Sequence, residues 1–86
     1  MTLLEVLAMT RRFIELPDND FSWAGWADTE EALAEFDRLV AEVRRGGRPF
    51  MLRVLYAPTG PLQELSISSG WADEYVDLAG QFDRLF

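Results

Sequence analysis

The sequence contains no cysteine, no histidine and no lysine. Without cysteine there is no disulfide framework and no thiolate site. Small secreted domains commonly depend on disulfides, so the expected location is cytoplasmic. Without histidine or lysine the commonest general base and the imine-forming amine are missing. Zinc loses both of its preferred ligands. Every cation is an arginine, a compositional trait associated with GC-rich bacterial genomes. Long apolar runs are also missing, so no segment is expected to span a membrane. Met1 to Leu16 has no basic leader, and Glu5 interrupts its apolar run, so no signal peptide is expected.

What is present suits a globular domain. The chain has 86 residues, 49% of them hydrophobic, with 3 Trp, 6 Phe and 2 Tyr. That length makes one domain spanning 1–86, with only a modest core. The net charge is −7. An acidic surface argues against direct contact with a phosphate backbone. It is compatible with plain solubility, with a basic protein partner, or with mimicry of a nucleic acid's charge.

The chain also echoes itself. Gly25-Trp26-Ala27-Asp28 recurs as Gly70-Trp71-Ala72-Asp73, and Phe36-Asp37-Arg38-Leu39 recurs as Phe82-Asp83-Arg84-Leu85. Leu33-Ala34 matches Leu78-Ala79 in the register of the first match, before Gly80-Gln81 shifts the second copy. Each copy reads as a helix entered through a Trp and an acid. Each closes on an aromatic-acid-Arg-Leu turn.

Thr2 and Glu5 form a capping box, followed by Leu3, Val6, Met9, Phe13 and Leu16 at helical spacing. Pro17 stops this first helix. Pro17 to Ala27 is expected to be an ordered loop held to the core by its rings. Asp28 is the N-cap of a second helix with Glu31 completing the box. Its apolar stripe is Ala32, Leu33, Phe36, Leu39, Val40 and Val43. Phe50 to Tyr56 alternates like a strand, Ala57-Pro58-Thr59-Gly60-Pro61 reads as a turn, and Leu62 to Ser68 reads as the return strand. A last helix begins near Ala72 and turns Tyr75, Leu78, Ala79, Phe82 and Leu85 inward. The expected class is therefore α+β, in the order α-α-β-β-α, with three helices packed on an antiparallel β-hairpin. Phe36, Phe82, Leu39 and Leu85 are expected in one shared core.

Few residues offer chemistry. Glu30, Glu31, Glu35 and Asp37 could pair carboxylates, but their positions match a capped helix with a solvated face. Asp18-Asn19-Asp20 has oxygen ligands without the calcium-loop framework, and an Asx turn explains it better. Ser66, Ser68, Ser69 and Gly70 precede a helix start, where Asp73 would repel an anion. No catalytic residue, metal site or cofactor is therefore assigned, and the chain is read as non-enzymatic.

Charge segregation is the remaining clue. Glu15, Asp18, Asp20, Asp28, Glu30, Glu31, Glu35 and Asp37 follow one another with no intervening cation. Arg38, Arg44, Arg45, Arg48 and Arg53 then follow with only Glu42 among them. Acids beside aromatics compose a surface suited to a basic partner. The candidate partner-binding set is Asp18, Asp20, Phe21, Trp23, Trp26, Asp28 and Glu31. Each Trp is either a core anchor or, if exposed among acids, an interface hot spot. In size and acidity the chain resembles the immunity proteins that neutralise bacterial toxins, a group that spans many folds. The leading expectation is an interaction domain of inhibitor or immunity type engaging a basic protein. The alternative is a self-associating domain. An open hairpin edge would form a homodimer through Met51, Arg53 and Leu55. A small carboxylate enzyme or ligand binder ranks last.

Overall fold

The computed structural model describes all 86 residues and contains five helices and no strand. They are α1 (Leu3–Ile14), α2 (Thr29–Arg44), α3 (Phe50–Leu55), α4 (Pro61–Ser69) and α5 (Ala72–Leu85). The expected α+β class is thus corrected to all-α.

The correction concerns only the segment read as a hairpin. In Phe50 to Tyr56 all but Arg53 are apolar, so a run this short fits either period. Burial selects the helical one: Leu52, Leu55 and Tyr56 are buried, while Phe50, Met51, Arg53 and Val54 are exposed. In α4 the same spacing recurs, with Leu62, Leu65 and Ser66 buried. The Pro and Gly cluster is a turn, but it joins helices. Pro61 sits at the first position of α4, where its missing N–H costs nothing. Gly60 lies so close to α3 that a Cβ there would meet the carbonyl oxygens of Val54, Ala57 and Leu55. A helix satisfies its own backbone bonds, so no open sheet edge remains and the reason for a hairpin dimer disappears. Leu55, assigned to that dimer interface, is buried in the chain's own core.

The other three helices begin where expected. The Thr2 hydroxyl accepts from the Glu5 N–H, and the Glu5 carboxylate accepts from the Thr2 N–H at 2.7 Å. Asp28 caps α2 by accepting from the Glu31 N–H at 2.9 Å. The Glu31 carboxylate accepts from the Ala27 N–H at 3.1 Å, so the reciprocal half of the box is displaced by one residue. Asp73 makes no cap bond and is a first-turn acid of α5. Asn caps about as well as Asp, so Asp28→Asn should leave thermal stability nearly unchanged. Asp28→Ala should cost about 0.5–2 kcal/mol. A large loss in the Asn variant would reveal an ionic role for this carboxylate.

α1 is the central helix and packs against both α2 and α5. Its buried face is Leu3, Val6, Leu7, Thr10 and Ile14. That face is rotated from the expected stripe, leaving Met9 and Leu16 exposed and Phe13 half-buried. Arg11 on α1 grips Asp37 on α2 with two bonds of 2.8 and 2.9 Å. It also pairs with Glu15 at 3.0 Å. Leu4, near the start of α1, shares a surface groove with Arg44 at the end of α2, so the two helices are antiparallel. Phe13 stacks on Trp71 with ring centroids 5.0 Å apart. Thr10, a turn earlier, meets Tyr56, whose ring stacks on Phe82 near the end of α5. α5 is therefore also antiparallel to α1.

The Arg11 guanidinium holds the Asp37 carboxyl below its ordinary range. A carboxylate with a depressed folded pKa contributes stability above its unfolded value, near about 3.9. That contribution is lost as pH falls through the folded value. Asp37→Asn should therefore lower stability at pH 7 and flatten the loss on acidification below about pH 4. Parallel stability curves for wild type and variant would show that the pair contributes nothing.

The core is one cluster, and the echo runs through it. Gly25 and Gly70 both adopt left-handed backbone, with φ of 82° and 88°. Each turns the chain into a buried Trp, Trp26 or Trp71, and each Trp leads to a buried Phe, Phe36 or Phe82. Leu39 is buried as expected, but Leu85 is 38% exposed. The inserted residue precedes both Phe82 and Leu85, so it does not separate them; Phe86, at the chain end beside Leu85, stacks on Phe82. The buried polar groups are all paired. Tyr56 donates to the Thr10 hydroxyl at 2.7 Å, Thr10 donates to the Val6 carbonyl at 3.0 Å, and Tyr75 donates to the Tyr56 carbonyl at 3.1 Å. Burial raises both tyrosine pKa values.

Candidate interaction surface

The loop between α1 and α2 carries the candidate site, and its order has a local cause. Asn19 donates from its amide to the carbonyls of Phe13 and Ile14, at 2.8 and 3.0 Å. These carbonyls lie at the end of α1; that of Phe13 also accepts from the Leu16 N–H at 3.2 Å, while that of Ile14 lies past the last helical donor. The Asn19 side-chain oxygen accepts from the Trp71 indole N–H at 2.9 Å. One side chain thus joins the end of α1 to the start of α5.

A second anchor follows immediately. The Ser69 hydroxyl accepts from the Asp20 N–H at 2.9 Å, and the Ser68 hydroxyl donates to the Asp20 carbonyl at 2.7 Å. These serines, weighed from sequence as an anion site, tie the loop to the end of α4. Ala24 and Trp26 are buried, and the Trp26 indole donates to Glu35 at 3.0 Å. The ordered loop expected from sequence is present, held by hydrogen bonds as well as by rings.

Asp20, Phe21, Trp26 and Asp28 line a shallow depression of about 540 Å³, together with Asn19, Ser22, Ala27 and Thr29. Asp18, Trp23 and Glu31 are not among its lining residues. Of the seven candidate residues, then, four meet in one concavity. Asp18 and Glu31 are exposed. Trp26 is a core anchor whose polar edge is satisfied. Trp23 is the opposite case, 73% exposed. The Ser22 hydroxyl and N–H hold the Asp20 carboxyl below its usual range, so Asp20 stays ionised near neutral pH.

Comparison with protein families, with curated proteins and with solved structures finds no match.

The surface must therefore be read from its own chemistry. No group of three acidic side chains converges closely enough to hold a metal ion. No helix is long and apolar enough to cross a membrane. Asp28, Glu31 and Glu35 are engaged in capping or indole bonds, and Asp37 in an ion pair. The depression is open and joins carboxylates to aromatic edges, which suits recognition of a cationic surface.

Sequence reasoning missed Asn19 as an anchor and Thr10 with Tyr56 as a buried pair. Asn19 lies four residues past the C-cap Glu15 and outside left-handed backbone, so the usual helix-ending signal of Asn did not mark it. None existed for its bond to Trp71, which joins residues far apart in the chain.

Proposed function

We propose that this chain is a non-enzymatic interaction domain that engages a basic protein through the loop between α1 and α2. The observation that carries the reading is Trp23. It is a large aromatic left in water on a loop anchored at Asp20 and at the buried Ala24 and Trp26. Exposing such a ring gives up burial that a core position would supply. The backbone around it is ordered before any partner arrives, which lowers the entropic cost of binding. Asp18, Asp20, Asp28 and Glu30 surround this segment in sequence without a cation. They would draw a basic partner toward the ring. An inhibitor or immunity-type role fits this surface, and the absence of cysteine suits a reducing, cytoplasmic setting.

The test is capture of basic polypeptides by wild type and by Trp23→Ala side by side. A buried aromatic anchor is worth about 2 kcal/mol or more, roughly a 30-fold loss of affinity. Thermal stability should not change, because Trp23 is exposed. Equal capture by both proteins, or no basic partner at all, would sink the reading.

A further inference from the structure

The fold converts a pattern along the chain into an electrical axis. Because α2 and α5 are both antiparallel to α1, they run parallel to each other. Their first turns lie at one end and their last turns at the other. The acids Asp28, Glu30, Glu31, Asp73 and Glu74 therefore gather at the loop end with Asp18, Asp20 and Trp23, outnumbering Arg11 and Arg12 in the last turn of α1, of which Arg11 is already paired with Glu15 and Asp37. Arg44, Arg45 and Arg84 gather at the opposite end with Arg48 and Arg53. Arg53 lies over the ring of Phe86, 5.0 Å from its centroid, which ties α3 to the end of α5. Glu5, Glu42, Glu64 and Asp83 also fall toward this second end, so it is less strongly charged than the first. None of its five arginines makes an ion pair, since the pairs in the molecule use Arg11 and Arg38. It carries its own exposed ring, Phe50, at 74% exposure.

We propose that the acidic end of one copy docks on the arginine end of a second copy, giving an antiparallel side-by-side homodimer. This rests on the reading of the loop as an interaction surface and adds an occupant of its own, the arginine end of a second copy, within a chain whose net charge is −7. Each end offers what the other lacks: charge of opposite sign and an exposed ring able to stack on a ring or a guanidinium. In a twofold pair both contacts form at once, acid end to basic end and the reverse, so the assembly closes instead of growing. The helices are self-satisfied, so this dimer does not rest on the sheet edges expected from sequence.

A charge swap tests it in 0.15 M salt. There the Debye length of about 8 Å screens repulsion between two acidic chains while leaving direct contacts. One variant carries Asp18→Arg and Glu30→Arg, the other Arg45→Glu and Arg48→Glu. None of these side chains is buried, and thermal melts confirm that each variant folds. Sedimentation equilibrium at roughly 100 μM, below the millimolar range of weak encounters, should find wild type at twice 9.8 kDa. Each variant alone should be monomeric, with dimer dissociation raised at least about tenfold. An equimolar mixture should recover the dimer, because both contacts become complementary again. A monomeric wild type, a dimer that survives either reversal, or a mixture that stays monomeric overturns the proposal. A monomeric wild type that still captures a basic protein through Trp23 overturns only the second copy as partner and leaves the interaction surface standing. Loss of both dimer and capture defeats the two together.

Discussion

Phe36→Ala and Phe82→Ala are each expected to cost about 3–5 kcal/mol, the largest effects of any single change in this protein. Both rings are almost wholly removed from solvent, at 0% and 1% exposure. Phe82 stacks on Tyr56 at 4.0 Å and on Phe86 at 4.7 Å. Truncation removes apolar contact and leaves a cavity that surrounding helices close only in part. A small domain has about 5–15 kcal/mol of total stability, so either variant should lose a large share of it. The corresponding drop in melting temperature exceeds about 10 °C. Leu39 and Leu85 provide an internal control. They occupy equivalent echo positions, yet Leu39 is 2% exposed and Leu85 38%. Leu39→Ala should cost about 2–5 kcal/mol. Leu85→Ala should stay within about 1 kcal/mol, as surface changes do. Melts of the two Phe variants within a degree or two of wild type would refute the shared core.

Asn19→Ala should also be damaging, although Asn19 is a polar loop residue. It removes the acceptor of the Trp71 indole N–H, and Trp71 is 2% exposed. A buried donor left without a partner costs about 1–3 kcal/mol. The Ile14 carbonyl also loses its donor, while the Phe13 carbonyl keeps the Leu16 N–H. Asn19→Asp keeps an acceptor for the indole but sets a carboxylate against the negative end of α1, so it should not rescue. Urea unfolding measures the loss, and Trp fluorescence reports whether the indole environment changes. A variant as stable as wild type would mean the amide bridge is dispensable. Because Asn19 adjoins Asp20 and the depression, Asn19→Ala should lose both stability and binding at the loop, whereas Trp23→Ala should lose binding alone.

The echo has a structural meaning in this light. Both copies build the same entry: a left-handed Gly, a buried Trp, then a helix reaching a buried Phe. Yet the two indoles solve their polar problem differently, one through Glu35 within its own copy and one through Asn19 from the other side of the molecule. The copies also end differently: in the second, Phe86 stacks on Phe82 and the closing Leu is exposed.

The sequence by itself determined whatever depends on neighbours along the chain. Thr2 with Glu5 and Asp28 with Glu31 set two helix starts, because a cap satisfies backbone donors within one turn. The segregation of acids and arginines was equally plain, and so was a turn near Pro58. Tertiary structure alone decided the state of Phe50 to Ser69. Its short apolar runs fit two periods, and only the position of Leu52, Leu55, Leu62 and Leu65 against the other helices selected one. It also decided which Trp is left in water, since Trp23, Trp26 and Trp71 share the same local context of small and acidic neighbours. Burial, the Asn19 bridge and the alignment of α2 with α5 all join residues distant in sequence. Local propensity carries no information about which of them will meet.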